Sequence, residues 1–102
     1  MIFFNYGSAE LPRSANEIVD TVRKAIKKGN RITVTGHCDT AEPKAGALGM
    51  ARAVAVVKAL TAQDLPDDVQ LTAQSKGATS NLMRTGANTK EPQNRRVAIA
   101  IA

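Results

Sequence analysis

Two hydrophobic periods stand end to end in residues 31–61, and their order constrains this chain more than any other feature. Ile32 and Val34 alternate with Thr33 and Thr35, the two-residue period of a strand. Gly36 closes that run, and residues 37–44, with Pro43, read as a loop. From about Ala45 to Thr61 the period becomes helical. Leu48, Ala53, Val56, Val57 and Leu60 fill one apolar arc at about 100° per residue. A strand and a helix with facing apolar surfaces bury them against each other, in a layered fold.

The flanking segments repeat the alternation. Ile2 to Asn5 reads as a short strand and Tyr6-Gly7-Ser8 as a turn. Ser14 and Glu17 make an S-x-x-E capping box, followed by Ile18, Val19, Val22, Ala25 and Ile26 at helical spacing. Gly29-Asn30 is the stop signal, which puts Lys24, Lys27 and Lys28 in the last turn, where cations complement the helix dipole. Asp64 to Asp68 turns at Pro66. Val69, Leu71 and Ala73 alternate with Gln70, Thr72 and Gln74 as a third strand. Ser75 to Gln93 is a long polar stretch, with a short helix expected over Asn81–Arg84, and Val97, Ile99 and Ile101 close the chain as a buried strand. The order predicts an α/β fold in one domain, 1–102. Two helices pack on one face of a four-stranded sheet, and the strand–helix–strand crossovers favour parallel neighbours.

Composition narrows the function. Fourteen Lys and Arg against nine Asp and Glu give a net charge of +5, which suits either an acidic partner or simple solubility. Aromatics are 3%, and Phe3 and Phe4 are expected in the core, so little is left to stack on bases; nucleic acid is not expected as a partner. No apolar run approaches the ~20 residues of a membrane span. Met1 to Tyr6 is too short and too soon polar for a signal peptide, so the chain is either cytoplasmic or a domain of a longer exported protein. The single cysteine, Cys38, forms no internal disulfide. His37, Cys38 and Asp39 in succession lack metal-ligand spacing, and adjacent side chains in an extended segment point to opposite faces. Neither a metal, nor a cofactor, nor an enzymatic nucleophile is expected.

Two charges remain. Asp39 follows the second strand, at the kind of strand end where ligands collect; read locally, it is a turn or capping residue. Arg52, thirteen positions later (52 − 39), falls inside the apolar arc between Leu48 and Val56. Either its stem snorkels and its head reaches water, or its planar fork is held at the sheet edge for a partner such as a carboxylate. Side by side, Asp39 and Arg52 suit a zwitterion. At the start of the last strand, Asn94 and Arg96 point one way and Arg95 the other; one of the two arginines can line the same cleft while the other is solvated or paired.

Gly36-His37-Cys38-Asp39, Leu48-Gly49-Met50-Ala51-Arg52-Ala53, Val56, Leu60 and Asn94-Arg95-Arg96-Val97 together resemble the OmpA-like peptidoglycan-binding domain, the family of the OmpA C-terminal domain, the Pal lipoproteins and the MotB stator domain. Its pattern is roughly G-x-T-D, then L-S-x-x-R-A-x-x-V-x-x-x-L, then N-R-R-V. The resemblance implies a βαβαβ-type mixed four-stranded sheet with two helices on one face. It implies non-covalent, non-enzymatic binding of cell-wall peptidoglycan through the diaminopimelate of the peptide stem, with Asp39 on the ammonium and Arg52 on the carboxylate, flanked by Thr40, Asn94 and Arg96. It also implies a periplasmic domain of a longer exported chain, tethering an outer-membrane protein or lipoprotein to the wall, with envelope proteins as further partners and membrane attachment only through another segment. The chain departs from the pattern at Cys38, Ala45 and Gly49, which leaves the two charges but thins the polar shell around them. The alternative is a basic module that binds a protein or an anionic polymer and has lost peptidoglycan binding.

Overall fold

The computed structural model describes all residues, Met1–Ala102. Its elements are β1 (Ile2–Phe3), α1 (Ala15–Ala25), β2 (Arg31–His37), α2 (Ala45–Thr61), β3 (Gln70–Gly77), a 3-10 turn (Pro92–Asn94) and β4 (Arg96–Ile101). The sheet order is β1-β4-β2-β3. β3 pairs parallel with β2, as the α2 crossover predicts, while β4 pairs antiparallel with both β2 and β1. The long return after β3 therefore inserts β4 between β1 and β2, so those two are not neighbours and the sheet is mixed.

Register explains the core. Val34 stands opposite Ala73 on one side and Ile99 on the other, and Ile32 opposite Leu71 and Ile101. This row, with Ile2 and Val97, meets Ala53, Val56 and Leu60 of α2 and Val19 of α1 in one buried cluster. At the same end of the sheet, Gly36 passes directly against Gly49. A Cβ on Gly36 would collide with the Gly49 carbonyl, and one on Gly49 would lie 3.0 Å from the Gly36 oxygen and run into Ser75 Oγ. The serine that the family pattern puts at position 49 has no room here. The opposite sheet face is polar, with Gln74 Nε2 donating to Thr35 Oγ1 at 2.8 Å.

Several local expectations are corrected. Ser14 has helical dihedrals and its side chain caps nothing; the amides of Ala15 and Asn16 donate instead to the carbonyls of Pro12 and Arg13. Helix α1 ends at Ala25 because Ile26 turns extended and is buried. Lys27 and Lys28 then belong to the following turn, which Asn30 Oδ1 and the left-handed Gly29 (φ +79°) build. No helix forms at 81–84, since the Asn94 amide takes both the N–H and the C=O of Met83 at 2.8 Å. Phe4 is buried, but Phe3 points to the open face opposite Arg96 and is exposed. No helix is long and apolar enough to cross a membrane.

Candidate functional site

The ends of β1, β2 and β3, the start of α2 and the start of β4 meet at one end of the sheet, and the charged residues gather there. Asp39 and Arg52 are both fully buried, at 0% exposure. The snorkelling reading of Arg52 is thereby excluded: its head is inside.

All five guanidinium N–H groups of Arg52 are used. Nε donates to the Ser8 carbonyl at 2.8 Å. Nη1 donates to the His37 carbonyl at 3.0 Å and to Glu42 Oε1 at 2.8 Å. Nη2 donates to the Asn5 carbonyl at 3.1 Å and to Glu42 Oε2. The Glu42 carboxylate thus fills the fork in the bidentate manner that a planar guanidinium favours. The Phe4 ring centroid lies 5.4 Å from the guanidinium carbon. Glu42 is saturated too, taking the amides of Asp39 at 2.9 Å and Gly7 at 2.8 Å.

Asp39 forms a turn and an ion pair at once. Oδ1 accepts the amides of Ala41 and Glu42, each at 3.0 Å, the local turn chemistry of an aspartate. Oδ2 accepts the Glu91 amide at 3.1 Å and Arg95 Nη1 at 3.0 Å. Asp39 and Arg52 are therefore not each other's partner. They belong to a four-residue network in which Arg95 faces Asp39, Glu42 faces Arg52, and Glu42 Oε1 joins the halves.

Of the other predicted residues, only Thr40 adjoins this network. Thr40 Oγ1 donates to the Gly86 carbonyl at 2.7 Å and accepts the Thr89 amide at 2.9 Å, pinning the long loop over the Asp39 turn. Asn94 is buried and serves Met83 without touching Asp39. Arg96 lies on the opposite sheet face, beside His37. Cys38 is buried with Sγ donating to the Ala45 carbonyl at 3.2 Å; burial pushes its thiol up to about 11 against the pull of Arg52. No group of three His, Cys, Asp or Glu is placed to hold a metal.

Sequence reasoning missed Glu42 and chose Arg96 over Arg95. Strand alternation did say that the two arginines diverge, which left the choice between them open. Nothing local marks Glu42, because its partner lies ten positions on and the strap that seals the pair, Asn5–Ser8, comes from the other end of the chain. The nearest opening to the Asp39–Arg95 pair is a groove of about 380 Å³ bordered by Phe3, Asn5, Pro92, Gln93 and Arg95.

Comparison with known proteins agrees with this architecture. Residues 3–95 match the family model described as OmpA family. A protein called outer membrane protein from Gluconacetobacter diazotrophicus is 31% identical over 99% of the chain, which spans only 29% of that relative's length. Among solved structures, the peptidoglycan-associated lipoprotein from Burkholderia pseudomallei superposes with a TM-score of 0.83 at 21% identity, over 99% of this chain and 88% of the other. The C-terminal domain of Helicobacter pylori MotB gives 0.83 at 22% identity, over 99% and 83%. The OmpA-like domain of FopA1 from Francisella tularensis gives 0.72 at 21%, over 99% and 70%. With the mixed β1-β4-β2-β3 sheet, the aspartate after β2 and the arginine inside α2, a family match across nearly the whole chain makes this protein a member of the OmpA family.

Proposed function

We propose that the domain binds cell-wall peptidoglycan non-covalently and without catalysis, through the diaminopimelate of the peptide stem, on the periplasmic side of the outer membrane. One observation carries the reading: Asp39 already holds a cation and Arg52 already holds a carboxylate. The chain's own Arg95 and Glu42 occupy the places that the ammonium and carboxylate of a diaminopimelate side-chain end would take. Binding is then an exchange, in which a zwitterion replaces two internal partners with its own charges in one step. The groove beside Arg95 is the approach. A ligand with both charges gains a partner at both Asp39 and Arg52, whereas a ligand with the ammonium alone gains one only at Asp39 and leaves Glu42 on Arg52.

The test is calorimetric titration with two stem peptides, one carrying diaminopimelate and one carrying lysine in its place. Lysine offers the ammonium without the side-chain carboxylate. The diaminopimelate peptide is expected to bind more tightly by up to roughly 2–5 kcal/mol, the range for a buried, hydrogen-bonded charge pair that only its carboxylate makes. Arg52→Gln should erase that difference, and Asp39→Asn should weaken both peptides, with folding checked by circular dichroism. Equal affinities for the two peptides would exclude the clamp.

The second reading, a basic module without a wall ligand, draws on the saturation of Arg52, whose N–H groups are all engaged internally. It predicts no heat with either peptide and binding to an anionic polymer that falls steadily with salt.

A further inference from the structure

Three arginines gather at this end of the fold, and only two have a counter-ion. Arg52 has Glu42 and Arg95 has Asp39. Arg96 has neither ion pair nor carboxylate contact, although it is only 7% exposed. Its Nη2 donates to the Ser80 carbonyl at 3.1 Å, and its Nε and Nη1 are buried without any acceptor. A buried guanidinium without a compensating charge is costly, because it cannot shed its proton as a buried lysine can.

The surroundings of Arg96 are also cationic or neutral. Gly36 pairs with Val97 across β2 and β4, so the next rung sets His37 beside Arg96 on the face away from the helices. The irregularity between Gly36 and His37 leaves Lys76 of β3 as the extra residue at the same level. His37 is 4% exposed and its Nδ1 has no partner. Burial, Arg96 and Lys76 hold its imidazole down to about 4. Burial likewise lowers Arg96, and no acid relieves either. Lys76 and Ser80 also border a groove of about 670 Å³ at the end of β3, whose other wall is Ala45 and Gly46 of α2; Arg96 and His37 do not line it.

We propose that Arg96, His37 and Lys76 form a receptor for one small oxyanion, a carboxylate or phosphate group, on the open face of the sheet and separate from the Asp39–Arg52 network. The anion takes the free N–H groups of Arg96, which supply its main charge contact. His37 donates once protonated, and Lys76 contributes a flexible point charge from the edge strand.

His37 is the only histidine, so its imidazole resonances report on the site without ambiguity. The experiment follows those resonances by NMR through a pH series, with added sodium phosphate or sodium formate, against sodium chloride at equal ionic strength. Phosphate or formate is expected to shift the imidazole signals saturably and to raise its titration midpoint by roughly 1–3 pH units, the effect of a new opposite charge within a few ångström. The relative affinities of the two probes identify the group preferred. Arg96→Met should abolish the response. Lys76→Ala, at an exposed edge position, should weaken it several-fold and serves alone if the Arg96 variant does not fold. Signals that follow only ionic strength in the folded protein, or that respond equally in Arg96→Met, would overturn the proposal.

Discussion

At the scale of single residues, this domain puts arginines at three degrees of satisfaction at one end of its sheet. Arg52 is filled on every N–H, Arg95 is shared between Asp39 and the Phe4 carbonyl at 3.1 Å, and Arg96 is left half open. Sequence reasoning reached the first because a charged residue inside an apolar helical arc must be held by something. It could not reach Glu42, since a carboxylate in an exposed-looking loop has no local period to violate. Glu42 is the residue whose removal separates holding Arg52 from competing for it. Glu42→Gln keeps the shape and loses the charge, and thermal or denaturant unfolding should show a loss of about 3 kcal/mol. If binding is an exchange, the same variant should bind the diaminopimelate peptide more tightly than the wild type, and the peptide should restore more stability than it gives the wild type. Weaker binding would make Glu42 a positioning residue for Arg52.

At the scale of elements, the strands and α2 were legible because their periods are long and their core residues are β-branched or leucine. The boundaries set by turns were not. The stop at Ala25 and the absent capping box follow from turn geometry that carries no hydrophobic period, and the irregular 81–84 segment follows from the contact of Asn94 with Met83. The element contact that most directly positions the site is the backbone approach of β2 and α2 at Gly36 and Gly49. It fixes how far the turn bearing Asp39 stands from the helix bearing Arg52. Gly36→Ala should push the helix away from the strand, costing about 3 kcal/mol or more where overpacking has no room to relax. Circular dichroism melts and the chemical shifts of residues 39–52 would report it. A variant with wild-type stability and shifts would show that this approach is not tight.

For the whole molecule, the unpartnered cations on the open face make acid a specific stress. Well above pH 6.5 the imidazole of His37 is neutral in both folded and unfolded chains and adds no pH dependence. As pH falls through 6.5 to about 4, the unfolded chain takes up a proton that the native state refuses, because burial, Arg96 and Lys76 oppose it and only the Ser80 backbone favours it. Stability should therefore fall with pH through that window, by at most about 3 kcal/mol, and level off below it. Denaturant titrations of wild type and His37→Gln at pH 7 and 4.5 would check this, with the smaller loss expected in the variant. Phosphate should flatten the wild-type dependence if the anion occupies its site.

The strap of residues 5–8 has a wider consequence. The Asn5 and Ser8 carbonyls end on Arg52 and the Gly7 amide ends on Glu42, so a ligand that displaces Glu42 from Arg52 also loosens the strap at Gly7. If the domain binds its proposed ligand by this exchange, residues 5–8 and the ligand are energetically linked. A force or partner acting on residues 1–8 changes affinity at the network, and by reciprocity the ligand changes the order of residues 1–8 by the same factor. A domain engaged in this way would report its engagement in the order of residues 5–8.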